Sequence, residues 1–375
     1  MLEKSDPLCE TYTNAIASST LIQPPPNGWI SGCLYDNDGM IIPLSQRFGG
    51  FYGDFFPNKD PATIETDDLA NLPIIQGRSV YLGHFMPHYG HFLLETLSTF
   101  WTNRAFRSFD YFIFHLFAFG DHLPSYCKDA FQAFGIPLNK IRIIKTKTLL
   151  TDVTIPERLV SLNKSANIAA RDIYRYLIDK YASSDYGPTS NFYYISRVHM
   201  SLKTGERAIL NEPIIEHSLK KMGFLTIYPE LLSFPEQVSL FHHADVVCGL
   251  SGSALHNCLF MRPKTLLIEI ADLRSKDEVH PMQDICNELS DIIYHIVPFS
   301  GHSLHKEKQI GIINNSQLAS KIDSVLKQHQ LKGELSHTPL SYTALLRLSF
   351  ISALVLSKVI LRLIKWWIIR NISAK

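Results

Sequence analysis

No CxxC pair occurs in this chain, and its six cysteines (Cys9, Cys33, Cys127, Cys248, Cys258 and Cys286) are scattered. That spacing excludes a zinc knuckle and a dense disulfide framework, so reduced thiols are expected. An excess of one charge sign is also missing. The formal net charge is +1, and without a basic field nucleic acid is not an expected partner. The opening MLEKSDPLCETYTN has neither the basic start nor the apolar run of a secretory signal, which leads to the expectation of a cytoplasmic location. Three well-known catalytic loops are absent as well. The small-residue stretch Gly249-Leu250-Ser251-Gly252-Ser253-Ala254 lacks the GK[ST] ending of a Walker loop, and Ser253 stands where GxSxG needs its second glycine. The full GxGxxG of a dinucleotide site is missing too, which removes the main support for hydride transfer.

What is present reads as two α/β domains. At 375 residues the chain is long for one core, since domains usually run on the order of 100 to 200 residues. The first sixty residues, rich in Pro, Gly and aromatics, predict loops and short strands. From Ser79 onward strand-like runs at 80–85, 111–119 and 141–150 alternate with helical segments, one beginning near His88. That alternation predicts a largely parallel sheet. The polar stretch from Ala182 to Asn191 is the candidate linker. Beyond it a second doubly wound α/β domain is expected, giving residues 1–181 as one domain and 191–335 as the next.

Residues 339–373 have a different character. After Glu334 no acidic residue occurs, while Arg347, Lys358, Arg362 and Lys365 punctuate an apolar segment containing Trp366 and Trp367. At about 100° per residue these cations fall within a stripe roughly 60° wide. A basic amphipathic helix lying on a membrane surface is the expectation, and a core-packing helix is the alternative. Spanning is the second choice, because the uncharged stretch between Arg347 and Lys358 is about half of the roughly 20 residues a span requires.

Three stretches carry chemistry. In GHFMPHYGHFLLETL, His84, His88, His91 and Glu95 cluster. His91 and Glu95 are one helical turn apart and His88 sits at the helix mouth, so a general base with an orienting carboxylate is predicted. A metal site is the rival reading, though the HxxH spacing lacks the i, i+4 histidine pair of a zinc protease. In ISRVHMSLKTGERAILNE, Arg197 leaves a strand end, Arg207 follows, and Asn211 and Glu212 start the next helix. Strand ends bind ligands in open α/β sheets, and arginine forks suit phosphate oxygens, so a diphosphate clamp is expected. In ADVVCGLSGSALHNCLFMRPKTLLIEI, a strand runs into Ser251, Gly252, Ser253 and Ala254 at a helix start, an anion site built from backbone N–H groups. Asn257 lies just beyond, and Glu269, near the end of the next strand, is a candidate for ribose hydroxyls.

Taken together, GHFLLETLSTFW at 90–101, YISR with Arg207 and NE at 211–212, the stretch 229–263 and LLIEI at 266–270 resemble glycosyltransferase family 61, which includes bacterial capsular polysaccharide biosynthesis proteins. The resemblance implies a GT-B fold of two facing Rossmann-like domains, the donor on the C-terminal one, no essential metal and no cofactor. It further implies inversion at the anomeric carbon. His91 or Glu95 would act as base, and Arg197, Arg207 and the Ser251 to Ala254 loop would hold the diphosphate. The family commonly shows His-Gly-Ala where this chain has Ser251-Gly252-Ser253; His256 is a candidate stand-in for that imidazole. The expected partners are a nucleotide-sugar donor, a glycan or lipid-linked oligosaccharide acceptor, and the inner face of the plasma membrane. The alternatives are a pyruvyl or phosphosugar transferase, and a membrane-attached glycan-binding protein without turnover.

Overall fold

The computed structural model describes residues 2–23, 29–47, 59–66, 69–116, 123–182, 191–204, 207–274, 278–331 and Ser357. The basic segment expected at 339–373 therefore lies outside the described residues apart from Ser357, and so does most of the candidate linker. By contacts the chain divides into two units. One comprises 1–183 together with 281–290, the other 184–280 together with 291–375.

The first unit is built on a six-stranded mixed sheet. Its strands are Cys9–Ala17 (β1), Leu34–Tyr35 (β2), Ile74–Phe85 (β3), Tyr111–Leu116 (β4), Ile141–Ile144 (β5) and Thr148–Pro156 (β6), in the order β2-β1-β6-β3-β4-β5. The β6-β3-β4-β5 portion is parallel, whereas β1 runs antiparallel to both β6 and β2. Two expectations change here. The early region contributes a nine-residue strand, not only short ones. Only the last three residues of that strand are buried, so it has no clear alternation to read. The run 141–150 also breaks, because the polar Lys145-Thr146-Lys147 separates β5 from β6, and the two strands take distant places in the sheet.

After β3 the backbone enters a helical run of changing pitch: α-helical over Tyr89–His91, π-helical over Phe92–Thr96 and 3₁₀ over Leu97–Ser108. A regular helix from His88 is thus replaced by an irregular one. A phenylalanine cluster anchors it to the sheet. The Phe131 ring, on the helix Ser125–Ala133, lies 5.7 to 6.1 Å from those of Phe85, Phe92, Phe100 and Phe114, and all five are buried.

In the second unit five strands run parallel: Phe192–Ile195 (β7), Leu225–Ile227 (β8), Val246–Leu250 (β9), Leu266–Ile270 (β10) and Ile293–Val297 (β11). Their order is β8-β7-β9-β10-β11. Alternate residues of a strand face opposite sides. Tyr194, Cys248 and Ile268 share one core with Ile215 and Leu219 of the helix Glu212–Lys221 and with Leu318 and Ile322 of the helix Asn315–Gln328. On the other side a Cβ at Gly249 would meet Ile195 and Leu255 at 3.0 Å, so the 3₁₀ run Ser253–Phe260 packs close against the strand. The sheet order reverses between β7 and β9, and in open parallel sheets ligands bind at the strand C-termini beside such a reversal.

Removing the ring at the centre of the aromatic cluster leaves a cavity that rigid sheet and helix cannot close. Phe131→Ala is expected to destabilise the first unit by about 3 to 5 kcal/mol, read from urea unfolding. A loss below about 1 kcal/mol would mean that the cluster does not anchor the helical run.

Candidate functional site

Two constellations stand out, one in each unit. In the first, Glu95 is fully buried. An isolated carboxylate there would be very costly, but this one is compensated. Arg47 donates from Nε to Oε1 at 2.8 Å, His91 bonds Oε2 through Nδ1 at 2.6 Å, and Arg158 Nη1 lies 3.6 Å from Oε1. Burial works to raise the Glu95 pKa, yet Arg47, the hydrogen bond from His91 and Arg158 together hold it below the usual carboxylate range. An ionised Glu95 can only accept, so the Nδ1 of His91 carries the proton. In the neutral ring the other nitrogen, Nε2, keeps a lone pair. His91 is 31% exposed, enough for a substrate hydroxyl to reach it.

The local fold explains this arrangement. The wide π-turn closes with Leu97 N–H on the Phe92 carbonyl, and single π-turns recur at functional sites. Gly83 has φ +76°, and a Cβ there would stand 2.6 Å from Arg158 Nη2, so only glycine lets that guanidinium approach. His88 is exposed at the helix start, its ring edge-on to His91 at 5.4 Å. His84 belongs elsewhere: it is buried and stacked at 5.6 Å on His115. Burial first, then His115 and the nearby arginines, keeps His84 neutral.

The second constellation lies at the C-terminal ends of β7, β9 and β10. A pocket there is lined by Arg197, Arg207, Ser251 and Asp272, among others. Arg207 donates from Nη2 to the Ser251 carbonyl at 2.8 Å and reaches Asp272 Oδ2 at 3.4 Å. Arg274 grips the same oxygen from Nε at 2.7 Å and Nη2 at 2.6 Å. Arg197 Nε is buried with no hydrogen-bond partner among the described residues. A Cβ on Gly252 would meet Arg197 Nη1 at 2.8 Å and Arg207 Nη2 at 3.1 Å, so both guanidiniums lie against the loop backbone. Burial, then Arg197 and Arg274, lowers the Arg207 pKa to about 10. Three cations repelling one another around a single carboxylate make a site that an anion would stabilise.

The other candidates fall into supporting places. Glu269 is 1% exposed, and its two oxygens accept from Ser251 Oγ and, at 2.8 Å, from the Tyr294 hydroxyl. It holds Ser251 in place, buried and with each oxygen already accepting one hydrogen bond. Asn211 pins the chain by bonding the backbone carbonyl and N–H of Ile313 at 2.7 and 3.0 Å. Asn257 is buried and donates to Gln237 and to the Ala254 carbonyl. Ser253 and Ala254 open a 3₁₀ run in place of the expected α-helix, and His256 is buried within it. The first N–H groups of such a run have no partner inside it, so the backbone argument for an anion survives. Sequence reasoning missed Arg47, Arg158, Asp272 and Arg274. Only the last two carried a signal, since Asp272-Leu273-Arg274 stands one residue past β10, at the same edge of the sheet as Arg197. Among the described residues no three His, Cys, Asp or Glu side chains group as metal ligands, and no helix is long and apolar enough to cross a membrane.

Residues 89–268 match the family model described as Glycosyltransferase 61. This region belongs to glycosyltransferase family 61. The match starts at the residue that opens the His91–Glu95 turn and ends inside β10, so it takes in His91, Glu95, Arg197, Arg207 and Ser251. No curated protein matches the chain. The enzyme is a glycosyltransferase, which sets the pyruvyl and phosphosugar readings aside.

Two measurements probe the second constellation of the glycosyltransferase. Glu212 is buried beneath Arg197, accepting from the Arg197 backbone N–H at 2.7 Å and the Tyr194 hydroxyl at 3.1 Å. Burial pushes its pKa up to about 7. Because the folded value lies above the unfolded one, its stability contribution is complete at low pH and lost as pH rises through about 7. Glu212→Gln should therefore be more stable than wild type at about pH 8, by up to about 3 kcal/mol, and nearly equal to it at about pH 4. Urea unfolding at the two pH values checks this, and a difference independent of pH would refute it. Separately, Gly252→Ala should displace the two guanidiniums and weaken binding of inorganic pyrophosphate about tenfold, as read by calorimetry. Unchanged affinity would mean that the loop does not organise the arginines.

Proposed function

We propose that this glycosyltransferase is an inverting, metal-independent enzyme that moves a sugar from a nucleotide-sugar donor to a glycan or lipid-linked oligosaccharide acceptor, of the kind made in capsular polysaccharide synthesis. The observation that carries this reading is the arginine pocket at the point where the strand order of the parallel sheet reverses. Inverting transfer needs two functions. A base must take the acceptor hydroxyl proton as the oxygen attacks the anomeric carbon, and the departing diphosphate must be neutralised.

His91 fits the first. Its Nε2 takes the proton while ionised Glu95 stabilises the imidazolium and fixes the ring; the new bond forms from the acceptor oxygen to the anomeric carbon. Glu95 is the positioning residue, since it is fully buried and its oxygens are already engaged by Arg47 and His91. Arg197, Arg207, Arg274 and the amides of Ser253 and Ala254 fit the second. The bond from the anomeric carbon to the phosphate oxygen breaks with its electron pair on the leaving group, and the guanidiniums spread that charge, a task often given to a divalent cation. The reading includes a GT-B arrangement with the donor on the doubly wound unit, and cytoplasmic action at the inner membrane face through the basic, apolar segment 339–373.

The test is a sugar-nucleotide turnover screen with EDTA present, run beside His91→Ala. Transfer by the variant should fall by about 10² to 10⁴ while donor affinity stays within about threefold, and the product should have the inverted anomeric configuration by NMR. Retained configuration, or loss of turnover in EDTA, would overturn the proposal.

A further inference from the structure

We propose that Asp272, placed against the arginines of the pocket, limits its positive charge and thereby favours the sugar nucleotide over the nucleoside diphosphate left after transfer. The inference rests on the donor-pocket reading above and deepens it.

Asp272 is the only carboxylate among the described residues that line the pocket. Its Oδ2 takes the fork of Arg274 and touches Arg207, while Oδ1 accepts the Arg274 backbone N–H at 2.8 Å. Burial opposes its ionisation, but the hydrogen bonds and charge of Arg274, with Arg207 behind them, hold its pKa below the usual carboxylate range. The other acids nearby are of a different kind. Glu212, Glu216 and Glu269 are buried, and burial raises the pKa of each. Glu269 is bonded to Ser251 and Tyr294, and Glu216 to Ser196 and Tyr228. At the pocket wall Arg197 and Arg207 thus meet one lining carboxylate, which Arg274, outside the lining, also grips.

A diphosphate joined at both ends, as in a sugar nucleotide, carries two negative charges. Cleavage of the sugar–oxygen bond leaves the electron pair on the terminal phosphate. That group becomes a monoester, whose second ionisation lies near pH 6, so at neutral pH the product carries almost one charge more. Asp272 shares Arg207 and Arg274 with the ligand and opposes that added charge. The same carboxylate therefore opposes the product more than the substrate, which favours release.

Calorimetric titration of the full chain with uridine, guanosine, adenosine and thymidine diphosphates, and with the glucose ester of each, tests this on wild type, Asp272→Asn and Arg197→Ala. Wild type should bind its preferred ester at least as tightly as the corresponding free diphosphate. In Asp272→Asn the preference should move about tenfold toward the free diphosphate, a factor equal to about 1.4 kcal/mol and the size of one unit charge at a partly exposed site. Arg197→Ala should lose both ligands. Should Asp272→Asn not fold, Asp272→Ser and the wild-type ratio carry the test: a tenfold wild-type preference for the free diphosphate overturns the inference. Binding with a ratio unchanged within twofold in the variant overturns the inference and leaves the donor pocket standing. If no nucleotide binds wild type, or Arg197→Ala binds as wild type does, the donor-pocket reading falls and takes the inference with it.

Discussion

The carboxylate of Glu95 is wholly out of water, and the first unit is arranged so that it can be. A buried charge survives only where opposite charge and hydrogen bonds replace its hydration. Here that replacement comes from three separate parts of the chain: Arg47 from the early region, His91 from one turn earlier in the same run, and Arg158 from just beyond β6. Each is brought close by a different device. The π-turn widens the helix where His91 and Glu95 meet, the phenylalanine cluster fixes that turn against β3, and Gly83 leaves room for Arg158. The tautomer of His91 follows from the charge of Glu95, and with it the nitrogen left for chemistry.

The second unit reverses the balance. Where Glu95 draws three basic side chains around one acid, Asp272 is the one carboxylate in the lining of the arginine pocket and is held by Arg207 and Arg274. The first arrangement fixes an ionised carboxylate and holds a base, although Arg158 Nη1 is itself buried without a hydrogen-bond partner among the described residues. The second is left with surplus positive charge, a burial cost on Arg197 and a depressed pKa on Arg207, all of which an incoming anion would reduce.

Local features of these sites were legible in the sequence, and the long-range ones were not. The His91–Glu95 pair follows from helical spacing, because neighbours three and four apart meet whether or not the pitch is regular. Arg197 and the Ser251–Gly252 turn follow from the rule that strand ends bind ligands. Arg47 was invisible, since it stands in a Gly- and aromatic-rich stretch with no period and meets its partner 48 positions away. For Glu269 and Asn211, position at a strand end or helix start shows proximity to a site, and only the fold shows their structural bonds to Tyr294 and Ile313. The antiparallel β1 was hidden because one end of it is exposed on both faces.

Gly83 and Gly252 suggest why such partners escape a reading by spacing. At each, φ is positive and the position a Cβ would take is within 3 Å of a guanidinium nitrogen, Arg158 in one unit and Arg197 in the other. An arginine fork is planar and long, and to lie along a backbone it needs a residue with no side chain at the point of contact. The glycine carries no chemistry of its own, so a motif search passes over it, and the arginine is distant in sequence, by 75 residues for the Gly83 pair and 55 for the Gly252 pair. What links them is steric permission, which appears only once the strand that presents the glycine has been placed in its sheet.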